Sequence, residues 1–290
     1  MKKNIVCAAA AFAALSLSLF SFGWPVKNLD TDKLVPTFAQ NRRNKFNTSL
    51  IFPNAQKAVA ADNGKIIAVI TEHQNDGDWF ESTLGNAAII SHNDDLISVY
   101  ANLDAQSALF LQQKFKVTDG QELGDIASSS WNENPEGGLM EFQIADTKAK
   151  TFINPLILMP RSLKHNRIYL DGVTIENQFG RSYNLATLRS IPAGQYTLYK
   201  KRQANASPHK SKVYVNGTEL EKISKEILKW QDGKILIVGN ENYTSSQFYP
   251  SQESELLGHI LLPHGVNTIT ITASDIFENA TTANYTISGY

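Results

Sequence analysis

The sequence predicts an all-β protein: an antiparallel β domain followed by a C-terminal β-sandwich. Three observations carry that expectation. Short apolar runs recur along the whole chain. Turn residues separate them, at Asp62-Asn63-Gly64, Asn93-Asp94-Asp95 and Asp119-Gly120, then at Asn216-Gly217. Helical periodicity is weak and confined to the stretch around Asp104 to Gln113. With 290 residues, 42% hydrophobic and 19% charged, the chain suits one large or two medium domains with real cores. A formal charge of −1 offers no basic excess for nucleic acid and no acidic tail.

The elements follow in order. Residues 1–23 read as a signal peptide, with Lys2 and Lys3 ahead of an apolar run from Ile5 to Phe22 and cleavage after Gly23. The alternative is a transmembrane anchor, although small and polar residues dilute the run. Cys7, the only cysteine, lies inside this leader, so a mature chain would have no disulfide, thiol nucleophile or thiolate metal site. Residues 24–45 are polar and read as an extended lead-in, ending in Arg42-Arg43-Asn44-Lys45. AVAADNGKIIAVI then carries a hairpin signal at Asp62-Asn63-Gly64, and NAAIISHNDDLISVYANLD repeats that form. FKVTDGQELGDIA and the stretch EGGLMEFQI (Glu136 to Ile144) continue the strands to about residue 160.

After a linker near Pro160 to Asn166, a second domain is expected over 166–290. NRIYLDGVTI, AGQYTLYKKR and SKVYVNGTEL read as strands, with Asn216-Gly217 as a tight turn. ELEKISKEILKW reads as a short helix with Leu220, Ile223, Ile227 and Trp230 on one face. GKILIVG, ELLGHILL, VNTITITASD and TANYTISGY complete the strand series, with Asp275 and Asn279 bracketing the last loop. SKVYVNGTEL, LPHGVNTITITASDIFENAT and TANYTISGY resemble the Ig-like modules of bacterial envelope proteins. A spacer or docking role is the expectation there, since such folds host many functions. Trp79, Trp131 and Tyr243 lie in loop-like stretches where an aromatic ring stacks on a sugar or packs locally.

The strand within EGGLMEFQI alternates. Met140, Phe142 and Ile144 form one face, and Leu139, Glu141 and Gln143 the other. Two glycines precede it, as where something approaches the backbone closely. Together with AVAADNGKIIAV, the run from His92 to Tyr100, DGQELG at Asp119 to Gly124, and Ile153-Asn154-Pro155, it resembles the lysostaphin/LytM-type M23 peptidase domain. The pieces occur in family order over residues 46–160. That family comprises zinc endopeptidases that cut peptidoglycan cross-bridges. The resemblance implies zinc held by the His and Asp of an H-x-x-x-D motif and by the second His of H-x-H. The first His of H-x-H and the His of Y-x-H-L assist attack by water.

Those positions read differently here. The H-x-x-x-D motif aligns with Lys45 to Ser49, and no histidine precedes His73 anywhere. The Y-x-H-L histidine is Asn102, after Tyr100. The H-x-H positions are Leu139 and Glu141. Glu141, His92 and His73 are the remaining groups with metal affinity. A zinc site needs three convergent protein ligands, so they read as structural or solvated. The expectation is therefore no zinc, no catalytic residues, and a groove lined by Tyr100, Asn102, Leu139, Glu141 and Gln143. The resemblance implies peptidoglycan, or a cell-wall hydrolase such as an amidase, as partner. The location would be the periplasm or the cell surface, with membrane contact only through the leader. Two other functions stay open: a surface adhesion protein binding through its Ig-like domain, and an active cell-wall metalloendopeptidase with an atypical site.

Overall fold

The computed structural model describes residues 22–31, 34, 37–72, 82–127, 138–160, 166–203 and 206–290. The first half contains β1 (Asn41–Arg42), β2 (Lys45–Phe46), β3 (Leu50–Pro53), β4 (Lys57–Val59), β5 (Gly64–Ile70), β6 (Ala87–Ser91) and β7 (Leu96–Ala101). Helix α1 (Ala105–Leu111) follows, then β8 (Lys116–Val117), β9 (Glu122–Asp125), β10 (Leu139–Asp146) and β11 (Thr151–Ile153). The second half contains β12 (Thr174–Asn177), β13 (Ser182–Asn184), β14 (Ser190–Ile191), β15 (Gly194–Lys201), β16 (Lys210–Val215) and β17 (Thr218–Gln231). It ends with β18 (Lys234–Val238), β19 (Asn242–Tyr243), the short helix α2 (Ser245–Phe248), β20 (Ser254–Leu262), β21 (Gly265–Ser274) and β22 (Ala280–Gly289). The protein is all-β, as its turn spacing predicts.

One sheet crosses both halves, in the order β14-β22-β21-β16-β17-β11-β10-β7-β6-β5-β8. Its pairs are antiparallel except β14–β22. A four-stranded sheet, β13-β12-β15-β20, lies against the second half of it. Ile175, Leu198 and Ile260 from the small sheet share a core with Val213, Ile271 and Ile287 from the large one. That is the expected sandwich: two sheets, each burying one face. The other core lies under β3, β6, β7 and β10, and Met140, Phe142 and Ile144 are fully buried in it.

The turn signals are correct for β6–β7 and for β16–β17. Asp94 and Asp95 both have positive φ (57° and 60°), as do Asn216 and Gly217 (51° and 82°), which suits tight antiparallel turns. The Asp62-Asn63-Gly64 hairpin is not formed. None of the three residues has positive φ. The chain turns there, but β4 pairs with β9, and β5 pairs with β6 and β8. Gly64 is needed for closeness instead, because a Cβ there would lie 2.4 Å from Ile90 Cγ2.

The helix expected in ELEKISKEILKW is also not formed. The segment lies within β17, a strand of 14 residues. Glu221, Ile223 and Lys225 are buried in alternation. Its first half pairs with β16 and its second half with β11 and β18. The helix-period apolar pattern is real. A ladder of backbone partners on both sides overrides the helix preference of its Glu, Lys and Leu residues.

The lead-in is not merely extended and polar. Val26, Leu34, Phe38 and Ala39 are buried in the first core. Phe22 is buried as well, edge-on to His92 at a centroid distance of 5.0 Å. Tyr243, expected in a loop, is a core residue of β19. Trp79, Trp131 and His73 lie outside the described residues. Among the described residues no helix is long and apolar enough to cross a membrane.

Candidate functional site

Glu141 occupies the middle of the sheet, opposite Ile51 of β3 on one side and Ala101 of β7 on the other. It is buried. A carboxylate in such a place is costly unless a cation and hydrogen-bond donors reach it. Both come from the segment just before β3. Arg42 Nη2 lies 2.7 Å from Glu141 Oε1, and Arg42 Nη1 donates to Oε2 at 2.8 Å. This is a bidentate pair, the strongest geometry available to these groups. Ser49 Oγ adds a third contact, 3.1 Å from Oε2, and lies 2.8 Å from Asn47 Oδ1. The hydrogen bond to Glu141 holds the Arg42 guanidinium above its ordinary pKa, against the opposing effect of burial.

Local sequence explains how Arg42 reaches this position. β1 and β2 form a two-residue ladder closed by Arg43 and Asn44, both with positive φ (53° and 63°). Asn44 N donates to Asn41 Oδ1 at 3.0 Å, which holds the turn shut. The hairpin is fastened behind by Asn47 Nδ2, which donates to Thr37 O at 3.0 Å and to Ser49 O at 2.8 Å. Thr37 Oγ1 donates to Ser49 O at 2.9 Å and accepts from Ile51 N at 3.0 Å. The cation is thus set by a stiff loop rather than by a free side chain.

The other expected residues divide. Lys45 is exposed and lies across the hairpin from Arg42. Asn102 is buried, in the left-handed region at φ 65°, and its Nδ2 donates to Leu139 O at 2.7 Å. Gln143 Nε2 donates to Thr48 Oγ1 at 3.0 Å. Leu139, Glu141 and Gln143 share a face, and Asn102 is tied to its upper end. Tyr100 is a correction: it lines no groove. It is fully buried on the opposite face, 5.0 Å from the Phe142 ring, and its hydroxyl accepts from Ala61 N at 2.8 Å. Strand alternation puts it there, since Tyr100 pairs directly with Phe142. Burial pushes its phenol up to about 12.

His92 bridges Asn63 O (2.8 Å from Nδ1) and Ser98 Oγ (2.7 Å from Nε2), a structural role. The glycine before β10 also serves the fold. A Cβ on Gly138 would lie 2.7 Å from Ala55 O, so what approaches this backbone is the protein's own β3–β4 turn. A cavity of about 350 Å³ opens beside that turn, lined by Val26–Asp30 and Leu34 on one side and Phe52–Lys57 on the other.

Sequence reasoning missed Arg42, the central cation of the site. One signal was available. A glutamate on a strand paired on both sides needs an opposite charge, and the Arg-Arg-Asn-Lys turn stands just ahead of β3. Replacing Arg42 by alanine is expected to cost about 2 kcal/mol in urea unfolding, below the usual cost of breaking a buried pair because the guanidinium is half-exposed. Glu141→Gln should cost less, since it leaves no uncompensated buried charge and the half-exposed guanidinium can turn to water. Equal stability of R42A and the parent chain would show that the pair does not hold the hairpin.

A protein-family model for an uncharacterised family matches residues 167–289. No curated protein matches the sequence. Several solved structures resemble part of the chain, among them these two. One is a zinc-containing peptidase from Vibrio cholerae, at 19% identity and TM-score 0.30, covering 43% of this chain and 36% of that one. The other is a variant catalytic domain of the prophage-encoded M23 protein EnpA from Enterococcus faecalis, at 16% identity and TM-score 0.29, covering 45% of this chain and 95% of that one. The chain thus spans about a third of the length of the Vibrio protein.

Proposed function

We propose that the protein is a non-catalytic M23-like envelope protein that regulates or scaffolds peptidoglycan remodelling. The bidentate pair between Arg42 and Glu141 is the observation that carries this reading. Zinc needs unprotonated ligands whose lone pairs are free to converge on it. Both oxygens of Glu141 are already engaged by a guanidinium, so a positive charge stands where a metal would have to sit. Ser49 offers a neutral hydroxyl, and Lys45 a second cation. These residues do not fit zinc, and no catalytic step is assigned to them.

The order of the M23-like sequence pieces supports the rest of the reading. The half-buried face of Leu139 and Gln143, together with the exposed Arg43 and Lys45 of the hairpin that carries Arg42, offers hydrogen bonds and positive charge to a cell-wall peptide or to a loop of an amidase. The leader-like N-terminus supports export, to a periplasm or a cell surface. The C-terminal sandwich is assigned a docking role.

Elemental analysis of the purified protein, with a peptidoglycan dye-release assay run with and without added zinc, tests this. Absence of stoichiometric zinc and of dye release in both conditions is the expected result. Stoichiometric zinc together with release would overturn it.

A further inference from the structure

We propose that the edge formed by α1, β5 and β8 is a membrane-docking surface for an anionic lipid bilayer. It stands apart from the Glu141 site and needs no reading of that site.

Large apolar side chains are exposed together here. Ile67 of β5 is 57% exposed, Phe110 of α1 54% and Phe115, just before β8, 66%, with Leu109 beside them at 47%. They stand on adjoining elements. Ile66 N donates to Phe115 O at 3.0 Å, and α1 packs on β5. The remaining exposed large hydrophobics of the described residues, such as Phe179 and Trp230, belong to the second half. Single exposed apolar residues are ordinary, whereas a contiguous group marks an interaction surface.

The charge on this edge says what covers it. Lys65 and Lys116 face each other across the β5–β8 ladder, and Lys114 Nζ lies 4.3 Å from the centre of the Phe110 ring. None of the three makes an ion pair among the described residues. Aromatic and aliphatic side chains set among lysines suit the boundary between acyl chains and acidic headgroups. Asp62 and Asp119 lie in the turns at the lower end of this edge. The positive charge is therefore moderate, and apolar insertion must supply much of the binding.

Co-sedimentation of the full chain with vesicles tests the proposal. One set contains phosphatidylglycerol and phosphatidylethanolamine, the other phosphatidylcholine alone. The parent chain is compared with a Lys65→Glu, Lys114→Glu, Lys116→Glu variant and with a Phe110→Ser, Phe115→Ser variant. Far-ultraviolet circular dichroism confirms that each is folded. The parent chain should bind the anionic vesicles at least about tenfold more tightly than the neutral ones. Each lysine near an acidic surface contributes about fivefold, so reversing three should lose at least roughly a hundredfold on anionic vesicles. The double variant should lose binding to both. Equal binding by parent and variants would mean that the leader alone holds the membrane, and would overturn the proposal. So would equal affinity for both vesicle types. Self-association through Phe115 without vesicle binding would overturn it as well.

Discussion

Replacing Glu255 by alanine is expected to lower the unfolding free energy by about 3–5 kcal/mol. Among the described residues, Glu255 is the one carboxylate in contact with two buried lysines. Lys225 Nζ lies 2.7 Å from its Oε1 and Lys200 Nζ 3.8 Å from its Oε2. All three side chains are buried. Desolvation lowers the Lys225 pKa, and Glu255 opposes that shift. Lys225 also lies 5.2 Å from the Phe248 ring centre, while Arg202 covers Tyr249 at 4.4 Å. Without the carboxylate, two ammonium groups face each other in an apolar site. They must release protons or open the structure. Lys225→Met should cost far less, because Lys200 remains to answer Glu255. Urea denaturation of both variants gives the comparison. A Glu255→Ala cost below about 1 kcal/mol would show that water reaches the lysines in solution.

Stability is also expected to fall in mild acid because of His209. This imidazole is buried, and desolvation depresses its pKa from 6.5 to about 4. Glu226, 3.8 Å away, and Glu278 pull it upward, while Lys210 and Lys225 push it down. The unfolded chain therefore binds this proton at a higher pH than the folded one. Between pH 6.5 and about 4 the unfolded state holds more protons, so stability rises with pH through that window. The whole interval amounts to roughly 3 kcal/mol, lost on going down and constant below it. Glu226 is held below its ordinary pKa by Lys210, though desolvation acts against this, and it adds a loss of the same sign further down. His209→Gln should flatten the profile between pH 7 and 4.5. A variant whose stability falls as steeply as that of the parent chain would remove His209 as the cause.

Strand content was legible because alternation and turn chemistry act locally. The β6–β7 and β16–β17 turns carry residues that accept positive φ, and they close hairpins. The Asp62-Asn63-Gly64 turn shows the limit of that signal. Turn residues reverse the chain, but they do not choose its ladder partner. β17 failed for another reason. Its apolar residues fit a helix about as well as a strand, and only distant partners decide between them. The candidate site was half legible. Glu141 meets Ser49 and Asn102 bonds to Leu139, and Met140 and Phe142 face the core as their period requires. Arg42 was hidden because it pairs across 99 residues of sequence. The buried lysines did leave a trace. Lys200 follows Tyr196 and Leu198 on the inward side of β15, and Lys225 follows Ile223 in β17, so both break an apolar face.

β17 gives the protein a mechanical character. Its first half is laced to β16 and its second to β11, so both halves of the molecule are fastened to one continuous strand. A pull directed along this strand loads the flanking hydrogen bonds in shear, many at once, instead of peeling them one after another. Neither half can swing on the other without breaking a ladder. Tension applied to the C-terminal sandwich would therefore travel through β11 to β10, the strand that carries Glu141, with little slack on the way.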